Sequence, residues 1–185
     1  MTIPNLITLI RIILTPVFLV YLIDDRTFAA LIVFIIAGVS DGVDGMIARV
    51  FGQKSRIGAY MDPLADKILL ITAFLTLAVK GIIPSWLTAA VISRDITIML
   101  GILILLLNGV SFNMKPSILS KITTCAQLGT ICIVLVNTCF GIFTTDIITA
   151  AFFITGILTI ASGLGYMINW FKIISNDLPS DGDTA

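Results

Sequence analysis

Four aspartates in a strongly apolar chain are the residues best able to do chemistry. Asp41 and Asp44 are three residues apart, and Asp62 and Asp66 are four apart, so each pair is expected to share one helix face. An aspartate at the centre of a membrane helix costs about 2.5–3.5 kcal/mol on insertion scales. Four of them between positions 41 and 66 therefore indicate a functional site and not a packing feature.

The chemistry that these acids favour is binding of divalent cations. Converging carboxylates repel one another unless a cation lies between them. The chain contains no His and no Glu, and carboxylate oxygen is the ligand type that Mg²⁺, Mn²⁺ and Ca²⁺ prefer. Four carboxylates can hold two such ions about 3.5–4 Å apart, which clamps the attacking and leaving oxygens of a phosphoryl transfer.

Small and basic residues accompany the acids. The small ones, which leave room for a ligand against backbone, are Gly42, Gly45, Ala48 and Gly58. Arg49 follows Asp44 by about one helical turn and can form a two-pronged contact with a phosphate. Lys54 and Arg56 add positive potential. Each residue also has a simpler interpretation, since glycines pack membrane helices and loop cations set topology.

The elements that must position these residues are membrane helices. The chain is 58% hydrophobic with a mean hydropathy of +1.11, and a span needs about 20 mostly apolar residues. The expected spans are Leu6–Ile23, Thr27–Val50, Leu64–Lys80, Trp86–Leu107, Ile118–Phe143 and Ile147–Phe171. Short connections make neighbours antiparallel. We predict an all-α integral membrane protein, a six-helix transmembrane bundle over 1–174, with a polar, disordered tail at 175–185.

The distribution of charge predicts the orientation of the bundle. With a cytoplasmic N-terminus, the loops on that side carry Arg49, Lys54, Arg56, Lys115 and Lys172. The positive-inside rule then places both termini and the aspartates at the cytoplasmic face. Arg11 inside the first apolar segment argues against a cleaved signal, and a bacterial inner membrane is the expected location. A net charge of zero gives no reason to expect a nucleic-acid partner.

The three cysteines are not expected to carry function. Cys125, Cys132 and Cys139 are seven residues apart on one predicted helix, which corresponds to about 10.5 Å of rise. That separation is too large for a disulfide or a shared metal. We expect the cysteines to form a packing stripe.

The stretch DGVDGMIARVFGQKSRIGAYMDPLAD, Asp41 to Asp66, matches the signature D-x2-D-G-x2-A-R-x8-G-x3-D-x3-D without a gap. In this motif the chain resembles the CDP-alcohol phosphotransferase family. The opening PNLITLIR, Pro4 to Arg11, resembles the phosphatidylglycerophosphate synthase branch of that family. Eight fixed positions make the motif specific, and the resemblance extends over most of the chain.

The resemblance implies a fold, a reaction and roles for the motif residues. It implies six transmembrane helices, a homodimer and a cytosol-facing site with two Mg²⁺ or Mn²⁺ ions. Asp41, Asp44 and Asp62 would be the main metal ligands, while Asp66 would complete the site and act as general base. The residues that would shape the CDP pocket are Gly45, Ala48, Arg49 and Gly58. A deprotonated alcohol would attack the lipid-bearing phosphorus of CDP-diacylglycerol, and CMP would leave.

The acceptor alcohol is less well determined. The segments ISRD and SKITT resemble glycerol 3-phosphate users, which makes Arg94 and Lys121, with Lys115, candidate ligands of an acceptor phosphate. That branch tends to carry a further Arg and a further Lys where this chain has Ile102 and Thr123. Base rates place glycerol 3-phosphate first, although Arg94 could equally be the partner of Asp95 in a simple intramembrane ion pair.

Two alternatives remain open from the sequence. The segment KPSILSKITTCAQ, Lys115 to Gln127, resembles CMP-forming cardiolipin synthases, whose acceptor is phosphatidylglycerol. An ion transporter with an Asp-lined path would also place acids in membrane helices. A transporter does not explain the fixed spacing of Arg49 and the glycines, and an enzyme does.

Overall fold

The chain folds into six α-helices, and no strand occurs in the parts that the structure describes. The computed structural model describes the fold of residues 3–51, 58–107 and 118–177, and the side chains of 9–40, 67–101, 118–168 and 170. The helices are α1 Ile3–Ile23, α2 Thr27–Phe51, α3 Gly58–Val79, α4 Ser85–Leu107, α5 Ile118–Phe140 and α6 Thr145–Asp177. The prediction of an all-α fold is confirmed, and each predicted segment overlaps one helix.

Each helix buries a stripe with the period of an α-helix. In α1 the buried residues are Arg11, Thr15, Phe18 and Leu22, which recur at intervals of four, three and four. Phe18 packs against Phe34 of α2 with ring centroids 5.5 Å apart. Among the described residues α1 packs on both α2 and α3, while α6 packs on α4 and α5. The core therefore lies along the bundle axis.

Three short turns close one end of the bundle. They join α1 to α2, α3 to α4 and α5 to α6, and each contains a residue with positive φ: Asp25 at 59°, Gly81 at 72° and Gly141 at 63°. In the first two turns an amide reaches back five residues, from Arg26 to Tyr21 (2.9 Å) and from Ile82 to Leu77 (2.9 Å). This left-handed cap stops a helix abruptly and lets the next one run antiparallel.

Helix α6 has polar residues inside and apolar residues outside. Its buried side includes Thr155, Thr159 and Ser162, while Ile154 and Ile157 are more than half exposed. A water-soluble protein shows the reverse arrangement. By length and composition Ile118–Phe140 and Thr145–Ile168 can each cross a membrane, and three shorter apolar helical stretches occur among the described residues. These features indicate a membrane-associated protein.

Some details differ from the sequence expectations or extend them. Helix α6 continues to Asp177, three residues past the domain boundary expected at 174. The cysteines are free, as expected, but only Cys132 and Cys139 pack against the core, because Cys125 is exposed.

Candidate functional site

The four motif aspartates belong to two helices. Asp41 and Asp44 lie in the C-terminal part of α2, and Asp62 and Asp66 lie in the N-terminal part of α3. Their side chains lie outside the described residues, as do those of Gly45, Ala48, Arg49 and Gly58. The ligand and base roles expected of these residues stay predictions.

A small cavity shows how α2 and α3 are placed relative to each other. It has a volume of about 30 Å³, and its lining residues are Arg11, Ala37, Gly38, Leu69, Leu70, Thr124 and Leu128. Gly38 and Leu69 therefore lie at one level of the bundle. Asp41 comes three residues after Gly38 and Asp66 three residues before Leu69, about 4.5 Å along each axis. Because α2 and α3 run in opposite directions, both positions lie on the same side of the cavity.

Among the described side chains of α1, Arg11 is the polar one that lies at the level of this cavity. It is 1% exposed and lines the same cavity. Thr15 donates a hydrogen bond to the Arg11 carbonyl oxygen (2.9 Å), which satisfies the threonine hydroxyl inside the helix. A buried arginine is costly in a bilayer and marks a functional or strongly paired position.

A buried charge cluster joins four helices. Asp95 of α4 accepts hydrogen bonds from Lys67 of α3 and from its neighbour Arg94, whose Nη1 is 2.7 Å from Oδ1. The side chain of Asp95 is 1% exposed and that of Lys67 is 29% exposed. Arg94 Nη2 also donates to Ser120 of α5 (2.6 Å) and to Ser162 of α6 (3.1 Å).

Among the side chains that the structure describes, the cluster carries more positive than negative charge. Two cations, Lys67 and Arg94, surround one acid, Asp95, in a part of the bundle where Arg94 is 4% exposed. Arg94 Nε and Asp95 Oδ2 have no hydrogen-bond partner among the described residues. The stem of Arg94 packs beside Gly163 of α6, where a Cβ would lie 3.5 Å from Arg94 Cγ, an ordinary van der Waals distance. The cluster is tightly held, and it could favour a nearby anion electrostatically.

Polar contacts between residues 123–130 of α5 and 155–159 of α6 also hold these two helices together, next to the charge cluster. Thr130 and Thr155 share a hydrogen bond of 2.7 Å, and Gln127 Nε2 donates to Thr159 (3.2 Å). Thr123 is completely buried and donates to the carbonyl oxygen of Leu158 (3.1 Å). Hydrogen bonds of this kind contribute about 0.6 kcal/mol each in membrane proteins, with a maximum near 1.7. They fix the two helices in register.

The acceptor-site candidates fall into three different environments. Arg94 forms an ion pair with Asp95, which is the alternative that the sequence left open. It also donates hydrogen bonds to the hydroxyl groups of Ser120 and Ser162. Lys121 is exposed on α5, and Lys115 lies outside the described residues. Their role toward an acceptor phosphate stays a prediction.

Sequence reasoning missed Lys67 and the two serines. A signal for Lys67 was present, because a lysine inside a predicted span requires an acidic partner. Its partner Asp95 is 28 residues away on another helix, so the pairing itself could not be read from the sequence. Ser120 and Ser162 carried no signal, since single hydroxyls are common in membrane helices.

The chemistry of the motif aspartates determines which metal ions they could bind. Among the residues whose side chains are described, no three Asp, Glu, His or Cys come together. The remaining acids in the two helices are the motif aspartates, and a set of oxygen ligands without His or thiolate fits Mg²⁺ or Mn²⁺. These residues therefore fit the ions that the resemblance implies.

The comparisons with known proteins identify the family of the chain. The model of the CDP-alcohol phosphatidyltransferase family matches residues 1–171. The chain belongs to the CDP-alcohol phosphatidyltransferase family.

Three relatives show the range of named activities. A probable CMP-forming cardiolipin synthase of Drosophila melanogaster is 32% identical over 94% of this chain and 60% of its own length. The human CMP-forming cardiolipin synthase is 38% identical over 69% of this chain and 48% of its own length. The CDP-diacylglycerol–glycerol-3-phosphate 3-phosphatidyltransferase of Aquifex aeolicus is 29% identical over 94% of this chain and 98% of its own length. The chain spans about half the length of the two cardiolipin synthases.

Proposed function

We propose that this chain transfers a phosphatidyl group from CDP-diacylglycerol to a glycerol-type alcohol and releases CMP. The observation that carries the proposal is the match of the family model to residues 1–171, which includes the whole eight-position motif. The shared level of Gly38 and Leu69 at the cavity supports it, because helix geometry then puts the backbone positions of both aspartate pairs on one side of that cavity.

The motif residues then have distinct tasks. Asp66 accepts the proton of the attacking hydroxyl, whose oxygen forms a bond to the lipid-bearing phosphorus. The bond between that phosphorus and the oxygen of CMP breaks, and CMP leaves with the electron pair. Arg49 holds a phosphate of the CDP group, with Gly45, Ala48 and Gly58 leaving space for the nucleotide. Asp41, Asp44, Asp62 and Asp66 would hold Mg²⁺ or Mn²⁺, as two ions, which would supply charge stabilisation at the phosphoryl oxygens when bound.

For the acceptor we place phosphatidylglycerol before glycerol 3-phosphate, which reverses the order given by base rates. Thr123 stands where glycerol 3-phosphate users tend to have a lysine. Threonine offers no cation to a phosphate, and its hydroxyl is completely buried, with its one proton shared between the carbonyl oxygens of Leu119 (2.8 Å) and Leu158 (3.1 Å). The identities of 32% and 38% with CMP-forming cardiolipin synthases point the same way. Glycerol 3-phosphate stays the second candidate, since the Aquifex relative aligns along nearly its whole length.

The proposed membrane topology and assembly of the enzyme rest on the family and on the apolar side chains exposed on the helices. We propose that all six helices cross the bilayer, that both termini and the site face the cytoplasm of a bacterial cell, and that two copies form a homodimer. Apolar side chains exposed on α1 and α6, such as Ile13 and Ile157, support contact with lipid. A lipid-facing surface also gives phosphatidylglycerol a route to the site from within the membrane.

An acceptor panel tests the proposed function. Purified protein receives CDP-diacylglycerol with phosphatidylglycerol, glycerol 3-phosphate, inositol phosphate or serine, and the lipid products are resolved by mass. We expect cardiolipin as the main product. Phosphatidylglycerophosphate as the main product supports the second candidate, and no lipid product with any acceptor refutes the proposal.

A further inference from the structure

The charge cluster contains residues that the family motif does not include. Lys67 directly follows Asp66, and its ammonium group binds Asp95 of α4. Asp95 in turn is held by Arg94, which is anchored to α5 and α6 through Ser120 and Ser162. Asp95, the acid that binds Lys67, is therefore held in place by contacts that involve α4, α5 and α6.

We propose that Asp95 and Lys67 are positioning residues, which fix the rotation of α3 and thereby aim Asp62 and Asp66 at the metal site. The inference rests on the proposed function, because it assigns the pair a purpose only if those aspartates bind metal. Neither Lys67 nor Asp95 touches the reacting atoms in this account. Their effect is exerted through the helix that carries the ligands.

The magnitude follows from helix geometry. Successive residues of an α-helix are rotated by about 100° around its axis. When Lys67 is directed at α4, the position of Asp66 is therefore rotated by about 100°, and that of Asp62 by about 140°, from the direction of α4. Groups at the rim of a helix lie about 6 Å from its axis, so a rotation of about 10° moves them by about 1 Å. A displacement of about 1 Å at a catalytic group can cost about 10²-fold in rate. A rotation of about 10° after loss of the ion pair would therefore be enough to disturb the site.

The chain provides a matched control on the same helix. Lys80, one residue past the end of α3, binds Asp25 in the turn between α1 and α2. Lys80 lies 13 residues from Lys67, about 20 Å along the axis, and the side chain of Asp25 is 88% exposed. This ion pair also links α3 to the rest of the bundle. It lies at the opposite end from the aspartates, so its loss does not move them.

The test compares Lys67→Met, Lys67→Arg and the control Lys80→Met with the unchanged protein. Mn²⁺ binding is measured by calorimetry without lipid substrate. CMP release from CDP-diacylglycerol is measured at saturating Mn²⁺ with both phosphatidylglycerol and glycerol 3-phosphate present as acceptors. We expect Lys67→Met to weaken Mn²⁺ binding at least about tenfold and to slow CMP release about 10²-fold. Lys67→Arg keeps the link to Asp95 and is expected to stay within about threefold of the unchanged protein in both measurements, and Lys80→Met within about twofold.

Each other outcome counts against the proposal. Mn²⁺ affinity in Lys67→Met equal to that of Lys80→Met refutes positioning, and so does failure of Lys67→Arg to restore binding. If Lys67→Met does not fold, the double variant Lys67→Met/Asp95→Asn replaces it, because removing both partners of the ion pair keeps the net charge of the cluster unchanged. Unchanged Mn²⁺ affinity in that double variant refutes the inference. Absence of CMP release from the unchanged protein refutes the proposed function itself, whereas full activity in every variant refutes only the positioning role.

Discussion

Neutralising Asp95 should destabilise the bundle strongly. The substitution Asp95→Asn leaves Arg94 and Lys67 facing each other without the acid that both now contact. Because Asp95 and Arg94 are almost completely buried, the loss of one partner leaves an uncompensated charge and costs about 3–5 kcal/mol. For a chain of 150–250 residues, 1 kcal/mol corresponds to about 2–4 °C in Tm. We therefore expect Tm to fall by roughly 6–20 °C.

The same reasoning predicts non-additivity. Removing Arg94 together with the acid, in Arg94→Met/Asp95→Asn, removes one of the two stranded cations. We expect the double variant to lose at least about 1 kcal/mol less than the sum of the two single variants. Thermal unfolding in one detergent, followed by circular dichroism, gives all four values. A Tm for Asp95→Asn within about 3 °C of the unchanged protein, or strict additivity, refutes the buried-cluster account.

Three further predictions concern the motif and the topology. Asp41→Asn and Asp62→Asn should each abolish turnover and weaken Mn²⁺ binding, because an amide cannot offset a divalent charge; more than about a tenth of the activity would contradict the two-metal site. Asp66→Asn should bind Mn²⁺ nearly normally yet turn over about 10²–10⁴-fold more slowly, with a rate that rises with pH as hydroxide replaces the base; complete loss of metal would contradict the base role. Lys54→Cys, with the native cysteines replaced, should react with an impermeant thiol reagent from the cytoplasmic side alone.

The helices could be predicted because the relevant signals are local. Apolar runs of about 20 residues predict where the long helices occur, and Asp25, Gly81 and Gly141 lie in three of the turns that separate these helices. The first and last residues of the helices were less predictable. Helix α3 begins at Gly58, six residues before the predicted start at Leu64, because the polar first turns of the helix carry no apolar signal.

The candidate site divides into a part that the sequence predicts and a part that it does not. Residue types and spacing alone identify the aspartates of α2 and α3, since no packing role needs four acids. The cluster around Asp95 depends on contacts across four helices, and such contacts leave no periodic trace in one sequence. Thr123 is a mixed case, because the sequence shows that the position lacks a lysine, while only the structure shows that its hydroxyl is buried.

The most direct test of the central claim is release of CMP from CDP-diacylglycerol by the purified protein. The protein is assayed with phosphatidylglycerol in the presence of Mg²⁺, then with EDTA, and then with Mg²⁺ restored in excess. The account predicts that CMP and cardiolipin form in equal amounts, that EDTA stops both, and that Mg²⁺ restores both. CMP release that persists unchanged in EDTA would contradict metal-dependent phosphatidyl transfer, and so would the absence of CMP under every condition.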